Sequence, residues 1–272
     1  MIISVARKEL GDRLRNRWVW TVAALLCISE LTIVFFGAAP VGVAGAATGA
    51  AAVASLMNLT VYLVPLLALI LGCGAIIEEK ERGTLDLILV YPLSSGEYFL
   101  GTFSGFALAL SAAVASGFAV SGLALALWSD VSLKDHLLLT VLALALGCVF
   151  LGLSFLISIL SRDRGKAVAL SVLVWIFAVF VFDLVLVGVL VVSKGAVSEG
   201  LFGRFLLLNP TDVFRMLCFK WMGGATSALG LSVAILFVPP PATLLGALAL
   251  WMGVPLFLSY VLFQRRVASD TL

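Results

Sequence analysis

Ile76-Ile77-Glu78-Glu79-Lys80-Glu81-Arg82-Gly83-Thr84-Leu85-Asp86-Leu87-Ile88-Leu89-Val90-Tyr91-Pro92-Leu93-Ser94-Ser95-Gly96-Glu97-Tyr98 interrupts a sequence that is otherwise strongly apolar. Five of the fifteen acids, Glu78, Glu79, Glu81, Asp86 and Glu97, fall within it. They cluster where a membrane-spanning helix arriving through Ile76 would end. Gly83 is placed to be the residue just past that end. Thr84 can cap a short second helix, whose Leu85, Ile88 and Leu89 share one face at helical spacing and which Pro92 stops. Ser94 and Glu97 have capping-box spacing and predict a further helix start. A solvated loop is the plain alternative. Against it, three acids at a helix C-terminus oppose the helix dipole, which predicts cationic partners for Glu78, Glu79 and Glu81. The apolar face of the short helix, held between two spans, also calls for a partner to cover it.

Working outward, 62% of the 272 residues are hydrophobic, only 12% are charged, and mean hydropathy is +1.20. Soluble domains carry about 25% charged residues, so the composition predicts an all-α polytopic membrane protein in contact with lipid. A net charge of +2 is too small to suggest a nucleic-acid partner. Cys27, Cys73 and Cys148 lie in apolar runs, which with Cys218 argues against a disulfide framework. There is no CxxC pattern and one histidine, His136, so neither His-based catalysis nor a metal site is indicated. Met57, Met216, Met222 and Met252 are too scattered to suggest a copper(I) site, and membrane packing accounts for them. No G-x-x-x-x-G-K-[ST] loop occurs, so the chain has no recognisable ATP site and reads as a non-enzyme without a cofactor of its own.

Residues 1–17 place Ile3, Ala6, Leu10 and Leu14 on one helical face, with Arg7, Lys8, Arg13, Arg15 and Arg17 beside it. That pattern predicts a helix lying in the membrane interface, the alternative being a basic flank that only orients the first span. Spans are expected at about 18–37, 56–77, 100–128, 137–160, 167–191 and 242–263. A signal peptide is the rival reading of the first, opposed by the length of its apolar run and by Glu30. Residues 38–54 read as a short Gly/Ala-rich exterior connection. Ser132 and Asp135 have capping-box spacing, and Ser161–Lys166 is a tight charged turn. The connection 192–241 is the longest. Asn209-Pro210 starts a helix within it, and residues 225–238 are apolar but too short to span, which predicts a re-entrant or interfacial helix.

With the N-terminus inside, the inner segments carry twelve Lys and Arg and the outer segments five: Lys134, Lys194, Arg204, Arg215 and Lys220. That bias favours six spans with both termini cytoplasmic. It places the central stretch and the 161–166 turn on one side, and 192–241 on the other. Two acids remain inside apolar spans, Glu30 and Asp183. Charge there is costly and commonly faces a partner or cavity, so they are candidate pathway residues. Hydration near the outer surface is the bland alternative.

Residues 79–94, Glu-Lys-Glu-Arg-Gly-Thr-Leu-Asp-Leu-Ile-Leu-Val-Tyr-Pro-Leu-Ser, resemble the first cytoplasmic loop of ABC-2 type transporter permeases. The six-span layout is similar too. The resemblance implies one transmembrane domain over residues 1–272 of type V exporter architecture. Its parts are an elbow helix at 1–17, a coupling loop at 78–98 and an exterior loop at 192–241. It implies ATPase-coupling roles for Glu78, Glu79, Glu81, Arg82, Gly83, Thr84 and Asp86, with Arg162 and Arg164 as a second docking point. It also implies a cytoplasmic ABC ATPase subunit carrying ATP and Mg, and a second copy of the chain, in a bacterial inner membrane. Within the family, similarity is to members that serve copper-site assembly of nitrous oxide reductase with a periplasmic accessory protein. A self-contained channel or ion-driven carrier is the other functional class. It would need a charged route through several spans, where only Glu30 and Asp183 are available. Co-purification with an ATPase separates the two.

Overall fold

The structure, a computed structural model, describes residues 2–15, 17–36, 49–83, 94–128, 133–193, 199–222 and 239–270, with the backbone alone at 17–18, 22, 34–36, 49–54, 128, 199 and 266–270. Among these residues there are ten helices and no strand: α1 (Ile2–Arg15), α2 (Arg17–Phe36), α3 (Gly49–Gly72), α4 (Ile77–Glu81), α5 (Ser95–Trp128), α6 (Leu133–Leu160), α7 (Arg164–Val192), α8 (Glu199–Leu206), α9 (Pro210–Trp221) and α10 (Pro241–Asp270). Five regions are long and apolar enough to cross a membrane: Ser55–Glu81, Ser95–Leu127, Leu133–Leu160, Arg164–Val192 and Pro241–Arg265. α2 carries a shorter apolar stretch, Val19–Ile33. The chain is thus a multi-pass helical membrane protein.

Helix ends follow local chemistry. At α5 the capping box forms as the spacing predicts: Glu97 Oε2 accepts from Ser94 N at 3.1 Å, and Ser94 Oγ accepts from Glu97 N at 3.2 Å. Asn209 caps α9 through its side chain, with Pro210 in the first turn. α3 begins at Gly49, within the segment expected to be an exterior connection. The alanines at 50, 51, 52 and 54 are the strongest helix formers, and they extend the span outward rather than linking it.

α5 and α6 pack together at the centre, with α1 and α2 against α5 and α3 and α10 against α6. Lipid removes most of the hydrophobic drive between helices, so contact and shape carry the association. Phe155 of α6 is fully buried and meets Phe99, Phe103 and Phe106 of α5 edge to face, at 5.8, 5.4 and 5.5 Å between centroids. Gly72 lets α3 close on α6, because a Cβ there would run into Ser154 Oγ. The expected face of α1 is rotated. Ala6 and Glu9 face the bundle, whereas Ile3 is 83% exposed. Glu9 is tolerated because Arg13 and Lys8 approach it at 3.9 and 3.5 Å, and Arg13 in turn stacks over Phe106 at 4.1 Å.

The long connection does more than link two spans. After α8, Leu207–Asn209 turn the chain, and α9 packs on α6 and α10 with its first turns against residues 178–183 of α7. Asn209 reaches Ala178, fourteen residues short of the end of α7, and Trp251 Nε1 donates to Leu207 O at 3.1 Å, ten residues into α10. α9 is sunk into the bundle, with Val213, Phe214, Met216 and Leu217 buried, whereas most of α8 is exposed. The apolar segment at 225–238, where an inserted helix was expected, lies outside the described residues.

The break between α3 and α4 is held from α6. Ser158 Oγ accepts from Ile76 N at 3.0 Å and from Ile77 N at 3.1 Å, and so caps a helix that has no side-chain cap of its own. Leaving buried amides unpaired costs about 1–3 kcal/mol. Ser158→Ala should therefore destabilise the detergent-solubilised protein by about that much in thermal unfolding. Ser104→Ala, which removes only a bond to Leu100 O of its own helix, should leave the midpoint unchanged.

Candidate functional site

The site is built where two chain breaks meet. Residues 73–76 turn out of α3, and α4 carries Glu78, Glu79 and Glu81 past the end of the span. Gly83 closes α4 at φ 68°, in the left-handed region, with Gly83 N donating to Lys80 O at 3.1 Å. This is the terminating role expected for it. Beside α4, Ser161–Asp163 separate α6 from α7. Asp163 caps α7, accepting from Lys166 N at 2.8 Å. Hydrogen bonding from Lys166, side chain first and then backbone, holds the Asp163 carboxyl below the usual carboxylate range.

Arg164 joins the two. Its Nε lies 3.3 Å from Glu78 Oε1, and its backbone N donates to Glu81 Oε1 at 2.8 Å. Glu81 thereby satisfies an orphan amide at the positive end of α7. Two of the three acids expected to have cationic partners meet one residue of the other predicted docking turn. Glu79 is half-buried, while Lys80, Arg82, Gly83, Arg162 and Lys166 are exposed around this junction. Thr84, Asp86 and the short helix expected after Gly83 lie outside the described residues.

Glu30 and Asp183 have separate partners. Glu30 is buried on α2 and accepts from Ser121 Oγ of α5 at 2.6 Å. Close by, His136 Nε2 donates to Phe118 O at 2.7 Å, so the lone histidine is a packed core group. Asp183 accepts from Arg215 NH1 at 2.7 Å, and the same nitrogen donates to Asp212 Oδ1 at 2.9 Å. Sequence reading counted Arg215 only as an outer charge and passed over Asn209 and Ser158 as partners. The i,i+3 spacing of Asp212 and Arg215 was a usable signal, whereas nothing local marked Ser158. Among the described residues no three of His, Cys, Asp and Glu gather as they would around a metal ion.

The multi-pass helical bundle carries its two joined loop breaks at one end, and residues 3–267 match the ABC-2 family transporter protein family. The chain belongs to that family. It is 39% identical over 270 residues to the probable ABC transporter permease protein NosY of Stutzerimonas stutzeri, covering 97% of this chain and 98% of the relative. It is likewise 39% identical over 273 residues to the protein of that name from Pseudomonas aeruginosa, covering 98% of each.

The two ion-pair sites should respond differently to truncation. Arg164 is 61% exposed at its side chain, so its pair with Glu78 sits in the range of about 0–1 kcal/mol. Arg215 is 18% exposed and Asp212 only 5%, and removing one partner of a buried pair costs about 3–5 kcal/mol. Thermal unfolding should therefore place Arg215→Ala well below wild type and Arg164→Ala close to it.

Proposed function

We propose that this chain is the permease subunit that couples ATP binding and hydrolysis, performed with Mg in a separate cytoplasmic ATPase, to movement of its own spans. The observation that carries the reading is the Arg164 junction. It makes Glu78, Glu81 and the start of α7 one unit, with exposed Lys80, Arg82, Arg162 and Lys166 around it. A partner pressing there displaces α3 and α7 together. Glu79, Thr84 and Asp86 belong to the same docking region by their position along the chain. In this reading α2 is the sixth span, α1 lies in the membrane interface, both termini are cytoplasmic, and two copies of the chain pair with two ATPases in a bacterial inner membrane.

The similarity to the two NosY proteins supports a role in copper-site assembly of nitrous oxide reductase. There the complex would move a sulfur-containing compound outward, or pass force to a periplasmic accessory protein. Glu30 and Asp183 remain the candidate pathway acids.

Two experiments test this. Glu81→Ala and Arg82→Ala should insert normally and weaken ATPase binding or its stimulation, measured by co-purification and phosphate release. Unchanged binding, stimulation and in vivo activity in both would refute the docking role. Single cysteines at Lys134 and Lys220 in a cysteine-free background should react with an impermeant maleimide from outside. Labelling of either only after the inner face is opened would overturn the six-span topology.

A further inference from the structure

α7 is attached to the bundle in an unusual way. Its buried residues are mostly small: Ala167, Ser171 and Ala178, with Val179 and Leu186. Large apolar residues point away, with Leu173 62%, Leu184 70% and Val191 71% exposed. Polar pins hold it instead. At its start, Arg164 meets Glu78 and Glu81. Midway, Trp175 Nε1 donates to Tyr62 O of α3 at 2.9 Å. Further on, residues Phe177–Val181 form a π-helical turn, in which Phe182 N reaches back five residues to Phe177 O. The carbonyl of Ala178 in that turn accepts from Asn209 Nδ2 at 2.7 Å and from Thr211 Oγ1 at 3.1 Å. One turn on, Asp183 meets Arg215. Every contact of this last set goes to the tip and first turns of α9.

The pins differ in strength. The first is largely in water, where an ion pair yields easily. The last is more enclosed, with Arg215 18% and Asp183 37% exposed, and the fork of Arg215 is fixed on α9 by the buried Asp212. A helix with little interdigitated volume can shift without losing packed side chains. Because its far end is fastened to α9, such a shift takes α9 along. π-helical turns interrupt helices chiefly at functional positions, and this one presents the carbonyl that α9 grips.

We propose that α7 is a lever whose displacement at the Arg164 end is passed to α9 through the Asp183–Arg215 bridge, the Asn209 clamp on the π turn keeping the two helices in register. Asp183, Arg215 and Asn209 are then positioning residues, linking the docking end to the opposite end of the bundle. The inference rests on the ATPase-docking reading above for the origin of the displacement. Asp183 sits nineteen residues beyond Arg164, or about 28 Å at the rise of an α-helix, so the link spans most of a membrane.

The test uses the full chain in lipid nanodiscs with the ATPase that co-purifies with it, followed by hydrogen–deuterium exchange. Adding ATP, Mg and vanadate should change exchange both at residues 164–171 and at residues 210–221. Asp183→Asn cuts the bridge between helices but leaves the Arg215–Asp212 pair intact on α9. In that variant the response at 164–171 should persist while that at 210–221 falls about tenfold, in the range of coupling between distant sites. Asp183→Glu, which restores the charge, should recover it, a rescue that a merely structural role for the side-chain volume would not give. An undiminished response at 210–221 in Asp183→Asn overturns the inference, as does a wild-type complex that responds at 164–171 alone or at neither end. If no ATPase binds the chain, the docking reading fails and the lever fails with it.

Discussion

In a lipid-filled interior a polar group that finds no partner within the protein finds none at all, and this chain is arranged around the few places where it breaks that rule's simplest solution. A span of unbroken helix satisfies its own backbone. The breaks at residues 73–76, 161–163 and 207–209 do not, and each is met by at least one side chain from another helix, the second and third also by a residue of their own. Ser158 serves the first, Asp163 and Glu81 the second, and Asn209 with Trp251 the third. Because Ser158, Glu81 and Trp251 come from neighbouring helices, the same bonds that satisfy the backbone also tie those helices together.

Charge follows the same logic. Glu78 and Glu81 would be unfavourable at a helix end, yet each faces Arg164 at the start of another helix, where an anion is favourable. Asp212 and Asp183 flank Arg215, and Glu9 lies near Arg13 and Lys8. The charges cluster where helices end or turn, which is also where a membrane protein meets soluble partners.

Much of this was legible beforehand and some was not. Hydropathy and capping signals located five of the six expected spans, the Ser94–Glu97 box, the Asn209 start and the turn at Gly83, because each depends on neighbours in sequence. The demand for cations near Glu78 and Glu81 was legible from the dipole alone, and the identity of the cation was not, since Arg164 is more than eighty residues away. The face of α1 was misread because apolar spacing alone was followed, whereas Glu9 turns inward beside its two basic neighbours. The burial of α9 was hidden by its own charges, Asp212 and Arg215. They read as exterior loop residues and are in part internal partners.

The π turn in α7 has a geometric effect beyond the carbonyl it presents. Residues Ala167, Ser171 and Trp175 turn toward the bundle at intervals of four, and an α-helical stripe of that period drifts by about 40° per step. Carried on unbroken to Asp183, the drift from Ala167 would reach about 160°, and the carboxylate would look away from the bundle into lipid. One extra residue in the turn returns about 100° of that rotation. The span thus has two halves in different phase: the first is set to face α3 and the second to face α9. Were residues 177–181 to wind as ordinary α-helix with no change in length, Asp183 would swing about 100° away from Arg215, whereas deleting one residue there would remove the π turn and keep Asp183 in phase.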